Sequence, residues 1–504
     1  MKQSSTLSYL TIDLGAGSGR VMIADWDGAR IQLSEQHRFA HSMVQIREGL
    51  HWNLLHLWSE CLIGLQKSAS EGGRSFRSVG VDTWALDYVL LSQSGEMLGL
   101  PRAYRDPRTS GSIDAITKQV PREEIFAMTG LQFMEINTLC HLYAQSRANP
   151  EILEKAAHFL MIPDWFHWCL SGQISCEFTN ATTTQFLDPI RRNWSTSLLQ
   201  RLQIPNHYLS PLTEPGTVLG SLQSSVRQET GLSAIPVITP ATHDTASAVV
   251  AVPTERTGSC SWAYLSSGTW SLVGVEINHP LLSDDVLKHN FTNEGGVDGT
   301  FRLLKNVMGM WLMQQLQAAL RDQNTDFSIA ELALAAESAP AFKCLIDPDA
   351  PPFLRPANIT ETIRSECIRT HQPVPEGPAE FARCILESLA LRYREVLAIL
   401  QQLTGSRLEV LHVVGGGSKN SLLNQFTADA AGVPVIAGPT EATALGNAAI
   451  QMRTDGVFSG LREIRAAVRE SCLSELRSFT PCEAARPRWD EVFHRWIHLF
   501  RNAT

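Results

Sequence analysis

The sequence predicts an α/β protein of two related domains, and three observations predict it. The chain has 504 residues, more than a single hydrophobic core ordinarily serves. Short apolar runs of strand length alternate with longer stretches of helical spacing. Finally, one order of elements occurs twice: strand, small-residue turn, strand, then a strand closing on a polar or glycine loop, then Pro-Val-Ile leading into a helix. Pro236-Val237-Ile238 precedes Asp244-Thr245-Ala246, and Pro434-Val435-Ile436 precedes Glu441-Ala442-Thr443. The spacings differ between the halves. Two α/β domains facing each other across a central cleft explain the repeat, with the break at Pro253, giving domains 1–253 and 254–504.

In the first half Tyr9–Leu14 reads as a strand, Gly15–Gly19 as a turn and Arg20–Trp26 as a second strand ending at Asp27-Gly28. A helical stretch follows at Leu54–Lys67, then a strand, Ser78–Val81, running into Asp82-Thr83-Trp84. Residues 112–200 read as mostly helical with loops. Ala234–Thr239 is a short buried strand, and Thr245–Val252 a helix stopped by Pro253. In the second half Trp262–Leu265 and Trp270–Glu276 are strands flanking Ser266-Ser267-Gly268-Thr269. Val307–Leu320 and Ala379–Leu403 have helical spacing. Leu408–Val414 is a strand entering Gly415-Gly416-Gly417, Val433–Ala437 another, and Ala442–Met452 a closing helix.

Hydrophobic residues make up 44% and charged residues 18%, the balance of a compact globular protein rather than a disordered chain. A formal net charge of −9 speaks against a nucleic acid or an anionic membrane as partner, since such polyanions call for a basic field. Met1–Leu10 carries one lysine and no apolar core, and Asp13 stands where a signal peptide needs one. No run has the length of a membrane span. The ten cysteines show no CxxC pairing, so neither a zinc cluster nor a secreted disulfide framework is expected. Cys344 and Cys367 flank a proline-rich segment and are near enough in sequence to meet, but a reducing cytoplasm works against a bridge. A cytoplasmic protein is the expectation.

Four segments carry residues suited to chemistry. Asp13-Leu14-Gly15-Ala16-Gly17-Ser18-Gly19-Arg20 follows the first strand. Its D-x-G-x-G-x-G spacing also fits the cofactor loop of an S-adenosylmethionine methyltransferase, but such loops lead into a helix and Val21–Trp26 patterns as a strand. A Gly/Ser turn between strands serves either as a plain hairpin or as a nest of N–H groups for phosphate. An Asp closing the first strand favours metal-phosphate, because Mg²⁺ is usually held through one or two carboxylates. Ser266–Ser271 is a second such turn, ordinary alone and the opposing half of a phosphate clamp beside the first. His243-Asp244-Thr245 opens a helix after a buried strand, where open α/β sheets bind ligands. Asp244 reads either as an N-cap or as the carboxylate that takes the proton from a hydroxyl receiving phosphate. Gly415-Gly416-Gly417-Ser418 before the helical Asn420–Ala431 is either a tight connection or a close backbone approach to a ligand.

Together these segments resemble the FGGY carbohydrate kinases, whose two RNase H-like domains belong with actin and hexokinase. The match runs from about Leu10 to Gln451. It includes Asp13–Arg20, Val79-Gly80-Val81-Asp82-Thr83-Trp84, Ala103-Tyr104-Arg105-Asp106, Thr179–Gln185, His243–Ser247, Leu265–Leu272, Thr292-Asn293-Glu294-Gly295-Gly296 and Leu304–Gly309. The resemblance implies a kinase that uses ATP and Mg²⁺ and phosphorylates L-rhamnulose at its 1-hydroxyl. Xylulose, ribulose or fuculose is the alternative substrate. It implies a sugar-binding first domain and a nucleotide-binding second one. Asp244 is then the proton acceptor, and Ala85, His243, Asp244, Thr245 and Asn306 contact the ketose. Ala16, Gly17, Ser18, Gly19, Arg20, Thr269, Gln314 and Gly416 contact ATP, and Asp13 serves the metal, directly or through water. The pattern has glycine where this chain has Ala85. The expected partners are a small ketose and ATP, with the protein a monomer or dimer. A methyltransferase, or an actin-like ATPase that phosphorylates nothing, is the competing class.

Overall fold

The computed structural model describes residues 6–323 and 325–501. Of the Met1–Leu10 stretch, read above as lacking an export signal, residues 1–5 lie outside the described residues. The chain divides into two compact units. The first comprises Met1–Gly258, Glu276–Leu303 and Ala442–Ser471; the second comprises Ser259–Val275, Leu304–Glu441 and Cys472–Thr504. A boundary at residue 253 falls near the first crossing, but the chain then returns twice to the first unit.

The first unit is built on β1 (Leu7–Leu14), β2 (Ser18–Trp26), β3 (Ile31–Ala40), β4 (Phe76–Thr83), β5 (Val218–Ser221) and β6 (Pro236–Ile238). Their order across the sheet is β5-β6-β4-β1-β2-β3. The ribbon β1–β2–β3 is antiparallel, β4 runs parallel to β1, and β6 runs parallel to β4. β1 is buried almost throughout because both its faces are covered; Leu10, Ile12, Val79 and Val81 are wholly buried. α1 (Leu54–Ser70), capped by Asn53, packs on the β2–β3 side, and Gly64 lets it press against Val21. After β6 the chain enters α2 (Asp244–Val250).

The second unit repeats the plan with β7 (Trp262–Ser267), β8 (Trp270–Ile277), β9 (Phe301–Met308), β10 (Val410–Val414), β11 (Val435–Ala437) and β12 (Arg477–Phe479). The order is β12-β11-β10-β7-β8-β9, with Thr292–Gly295 as a seventh strand beyond β9. β7 and β8 are antiparallel, β10 runs parallel to β7, β11 parallel to β10, and the edge strand β12 antiparallel to β11. In each sheet the third, second, first and fourth strands lie side by side, followed by one more parallel strand (β6 or β11) and an antiparallel strand at the edge (β5 or β12), as expected of an RNase H-like domain. Two helices of this unit are α3 (Trp311–Arg321) and α4 (Gly377–Thr404), the latter closed by Gly405 in the left-handed region.

Val307–Leu320, expected to be one helical stretch, is instead the end of β9 followed by α3. Gly309 makes the break: a Cβ there would meet the Trp270 backbone at 2.6 Å, so the chain must turn without a side chain. α5 (Ala442–Thr454), which follows β11, belongs to the first unit, where it packs on α2, β1 and β4. Gly446 lies so close to the Ser247 backbone that no Cβ would fit. Asn447 donates to Asp82 Oδ2 (2.6 Å) and Gly80 O (3.2 Å), and Gln451 donates to Leu10 O (3.0 Å). Cys344 and Cys367 are unbridged, like all ten cysteines. Among the described residues no helix is long and apolar enough to cross a membrane.

Candidate active site

In the first unit the ends of β1, β4 and β6 deliver polar residues to one place. β1 ends on Asp13, which is buried and accepts two bonds from Arg20 on Oδ2, at 2.9 Å from Nε and 2.6 Å from Nη2. The turn beyond it closes with Gly15 N–H on Ser18 O (2.9 Å). His41 braces that turn twice, its amide donating to Gly17 O (3.2 Å) and its ring nitrogen lying 2.8 Å from Gly15 O. Among the described residues the amides of Ala16 and Gly17 donate to no protein acceptor, and a Cβ on Gly17 would meet nothing within 4 Å. That is the open N–H nest a phosphate needs. Gly19 is a different glycine: it sits in the ladder opposite Leu14 and Phe39, and a Cβ there would collide with both side chains. Packing accounts for Gly19, whereas no packing accounts for Gly17. Ser18 begins β2, and the Arg20 guanidinium is committed to Asp13.

Near the end of β4 stands Asp82, wholly buried, its Oδ2 held by Asn447 and its Oδ1 without a hydrogen-bond partner among the described residues. Burial, with Asp13 beside it on the adjacent strand, pushes the Asp82 carboxyl well above the usual range. The exit from β4 is pinned by Thr83 N–H on Thr242 O (2.9 Å) and Trp84 N–H on Leu14 O (3.1 Å). Asp87 Oδ2 accepts both indole N–H groups of Trp52 (2.6 Å) and Trp84 (2.9 Å), and burial raises its carboxyl to about 7. Ala85 has no positive φ; the left-handed residue is its neighbour Leu86, at φ 80°. Alanine therefore fits at 85 without backbone strain.

His243 caps α2 and Asp244 is its first residue. The approach is fixed by Glu177, whose buried carboxylate accepts from Thr242 N (3.0 Å), Thr242 Oγ1 (2.6 Å), Thr179 N (2.8 Å) and Thr179 Oγ1 (2.6 Å). Asp244 Oδ1 takes the Thr245 amide at 2.6 Å and lies 3.3 Å from His243 Nε2. The side chain is 30% exposed, and its protein partners all address Oδ1, which leaves Oδ2 as the open acceptor. Burial raises the Asp244 carboxyl and Asp13 adds to this, while His243 and Thr245 oppose it. A raised carboxylate is the stronger base near neutral pH. The N-cap reading of Asp244 thus gives way to a carboxylate with one oxygen engaged and one presented.

The second unit brings Thr269, Gln314 and Gly416 onto neighbouring segments. The β7–β8 turn closes with Gly268 N–H on Trp270 O (2.9 Å), and the start of α3 docks on it through Met310 N–H to Gly268 O (3.0 Å) and Trp311 N–H to Thr269 O (3.1 Å). Gln314 follows one turn along α3. Gly415 has φ 84°, Gly417 is pressed against Ser267 with no room for a Cβ, and Gly416 between them is exposed with nothing within 4 Å. Asn306, half-buried, is in β9 beside Lys305, which burial and the nearby Arg392 lower to about 7.

Residues 8–251 match the N-terminal domain of the FGGY family of carbohydrate kinases, and residues 263–454 match its C-terminal domain. The chain belongs to this family. It is an ATP-dependent carbohydrate kinase. This FGGY kinase is 44% identical over 462 residues to a protein of Pectobacterium atrosepticum named rhamnulokinase, covering 91% of this chain and 90% of that one. It is 41% identical over 503 residues to a rhamnulokinase of Bacteroides thetaiotaomicron, covering 100% and 99%. Among solved structures it is similar to xylulose kinase from Lactobacillus acidophilus (TM-score 0.79, 15% identity, 98% of each chain). It is similar also to glycerol kinase of Plasmodium falciparum with ADP (0.76, 16%, 98% of each). At those identities the structures speak for the fold alone.

Sequence reading assigned no role to Glu177, Asp82, Asp87, Glu294 or Arg302. Glu294 lay within a stretch already matched to the family. The available signal was a charged residue inside an apolar strand, as at Asp82 in Val79–Val81 and at Arg302 before Leu303-Leu304. Among the described residues no group of three or more His, Cys, Asp and Glu is arranged to hold a metal. Asp13 alone, with Arg20 confined to one oxygen, suits the sparse carboxylate share that Mg²⁺ takes when phosphates and waters supply the rest.

Proposed function

We propose that this kinase transfers the γ-phosphoryl group of ATP to the 1-hydroxyl of L-rhamnulose, giving L-rhamnulose 1-phosphate and ADP, with Asp244 as the proton acceptor. The curated relatives named rhamnulokinase support the substrate, since they match at 39–44% identity over nine-tenths or more of this chain. The observation that carries the mechanism is Asp244 itself: Oδ1 is engaged within the protein, Oδ2 faces outward, and the carboxyl is raised.

The steps assign each group to an atom. The ketose binds at His243, Asp244, Thr245, Asn306 and the backbone at Ala85, which places its hydroxyl on Asp244 Oδ2. As that oxygen bonds to phosphorus, its proton passes to Oδ2 and the bond to ADP breaks. The Ala16 and Gly17 amides hold phosphate oxygens, while Thr269, Gln314 and Gly416 serve the nucleotide. Asp13 would hold Mg²⁺, directly or through water, and the ion when bound neutralises charge on the phosphates. Free thiols throughout and the use of ATP support a cytoplasmic enzyme, working as a monomer or dimer. A panel of rhamnulose, xylulose, ribulose and fuculose, with phosphorylated products detected by mass, is the test. A tenfold or greater kcat/KM preference for another ketose removes rhamnulose and leaves only the family.

A further inference from the structure

His243 is held from behind by two charged residues that the mechanism above does not use. Glu294, on the strand Thr292–Gly295, and Arg302, on β9, are both almost wholly buried in the first unit. Arg302 Nη2 lies 3.2 Å from His243 Nδ1 and 3.2 Å from Glu294 Oε2, and its Nε donates to Gly295 O at 3.0 Å. Glu294 Oε2 is 3.3 Å from the same Nδ1, and on the far side of the ring Nε2 faces Asp244 Oδ1 at 3.3 Å. Two neighbours therefore compete for Nδ1, and they ask opposite things of it. A guanidinium has only donors and needs Nδ1 as an acceptor; a carboxylate has only lone pairs and would draw a hydrogen there.

We infer that Arg302, anchored by Glu294, is a positioning residue that keeps Nδ1 of His243 as an acceptor. The ring hydrogen then resides on Nε2, directed at Asp244 Oδ1. Resting on the reading of Asp244 as base, this sets a second donor beside the Oδ1 that the Thr245 amide already holds, and leaves Oδ2 for the substrate. Without Arg302, Glu294 becomes the remaining neighbour of Nδ1 and draws the hydrogen away. Nε2 would then turn a lone pair toward Asp244 Oδ1, a repulsive contact that works against the Thr245 amide in orienting the carboxylate. Arg302 thus acts through His243 and touches no substrate.

The test is a double-mutant cycle read in kcat and in KM for ATP. Arg302→Met should lower kcat about tenfold, as loss of a charge-assisted orienting contact does, with KM for ATP within about twofold. Arg302→Lys, also a pure donor, should recover kcat to within about threefold of wild type. In a His243→Gln background, Arg302→Met should cost less than about twofold more, because the ring it acts through is gone. Should the exposed need of buried Glu294 for a cation keep Arg302→Met from folding, Arg302→Gln replaces it. Its amide can pair with Glu294 while its oxygen accepts from Nδ1, so the same loss is expected. Full additivity with His243→Gln, or Arg302→Lys as impaired as Arg302→Met, overturns the inference. Asp244→Asn that keeps wild-type kcat overturns the base reading instead, and the two failures are told apart by that variant.

Discussion

The two units share a strand order and differ in what stands at the strand ends. In the first, β1 ends on Asp13, β4 on Asp82-Thr83, and β6 leads to His243-Asp244. In the second, the corresponding ends carry Ser266–Thr269, Gly415-Gly416-Gly417 and Gly438-Pro439. The first gathers carboxylates, with burial raising those of Asp82 and Asp244, beside the open amides of Ala16 and Gly17; the second gathers small residues without carboxylates. In the proposed mechanism one scaffold built twice is divided between tasks, with proton and metal chemistry confined to the first copy. The strand ends of an RNase H-like sheet are equivalent places, and side-chain choice alone separates the tasks.

The sharpest way to break that comparison is at its acid end. Asp244→Asn keeps size and the Thr245 cap but not the base, so kcat should fall by ~10²–10⁴-fold while sugar affinity changes far less. Steady-state kinetics beside calorimetric sugar binding checks it; a variant retaining a tenth of wild-type kcat means the carboxylates of the first unit are structural.

Next in size is a contrast between two glycines of the same turn. Gly17→Val should raise the Kd for ATP about tenfold or more by blocking charge-assisted N–H contacts, with thermal stability kept. Gly19→Val should do the reverse, losing ~1–3 kcal/mol to overpacking against Phe39 and Leu14 while the folded fraction still binds ATP. Equal effects of both on ATP binding would mean the turn is a plain hairpin.

A smaller effect should appear in pH dependence. Asp87 titrates near 7 when folded and near ~3.9 unfolded, so the folded state binds the extra proton between those values. Its contribution to stability is full below pH ~4 and lost as pH rises through about 7. Asp87→Asn should flatten the fall in melting temperature between pH 5 and 7; an unchanged slope would show that Trp52 and Trp84 keep the carboxylate ionised throughout. The smallest change is Ala85→Gly, which should leave kcat/KM for rhamnulose within about threefold, because the backbone there needs no glycine. A reordering of the ketose panel would place the methyl group in the sugar pocket.

What was readable in the sequence was local. Strand, small-residue turn and strand are set by side-chain alternation and by Gly and Ser at 15–19 and 266–269, so both ribbons were legible. So was the place of Asp244, because the strand and the helix start that set it are adjacent in sequence. The misreading at Val307–Leu320 came from apolar spacing that β9 and α3 share, with Gly309 too small a signal to divide them. Arg302 and Glu294 were silent because a charge in a strand means nothing until the partner that neutralises it is known, and that partner is here eight residues away across a turn. Asn447 and Gln451 were silent for a stronger reason: they bond residues more than 360 positions earlier.

That last attachment bears on how the chain is made. The first unit cannot be finished from the residues up to Gly258, because α5, with Asn447 on Asp82 and Gln451 on Leu10, covers the sheet from much further along the chain. On the ribosome roughly 200 further residues must emerge, which at ~5–20 residues per second takes about ten to forty seconds. During that interval the nascent sheet is uncovered around buried Asp82, while the stretch that builds most of the second unit is already being extruded. Most of the second unit has emerged by then as well, but its own edge strand β12 follows α5, so the earlier unit can close before the later one is complete, and until then the face awaiting α5 is where a chaperone would find its hold.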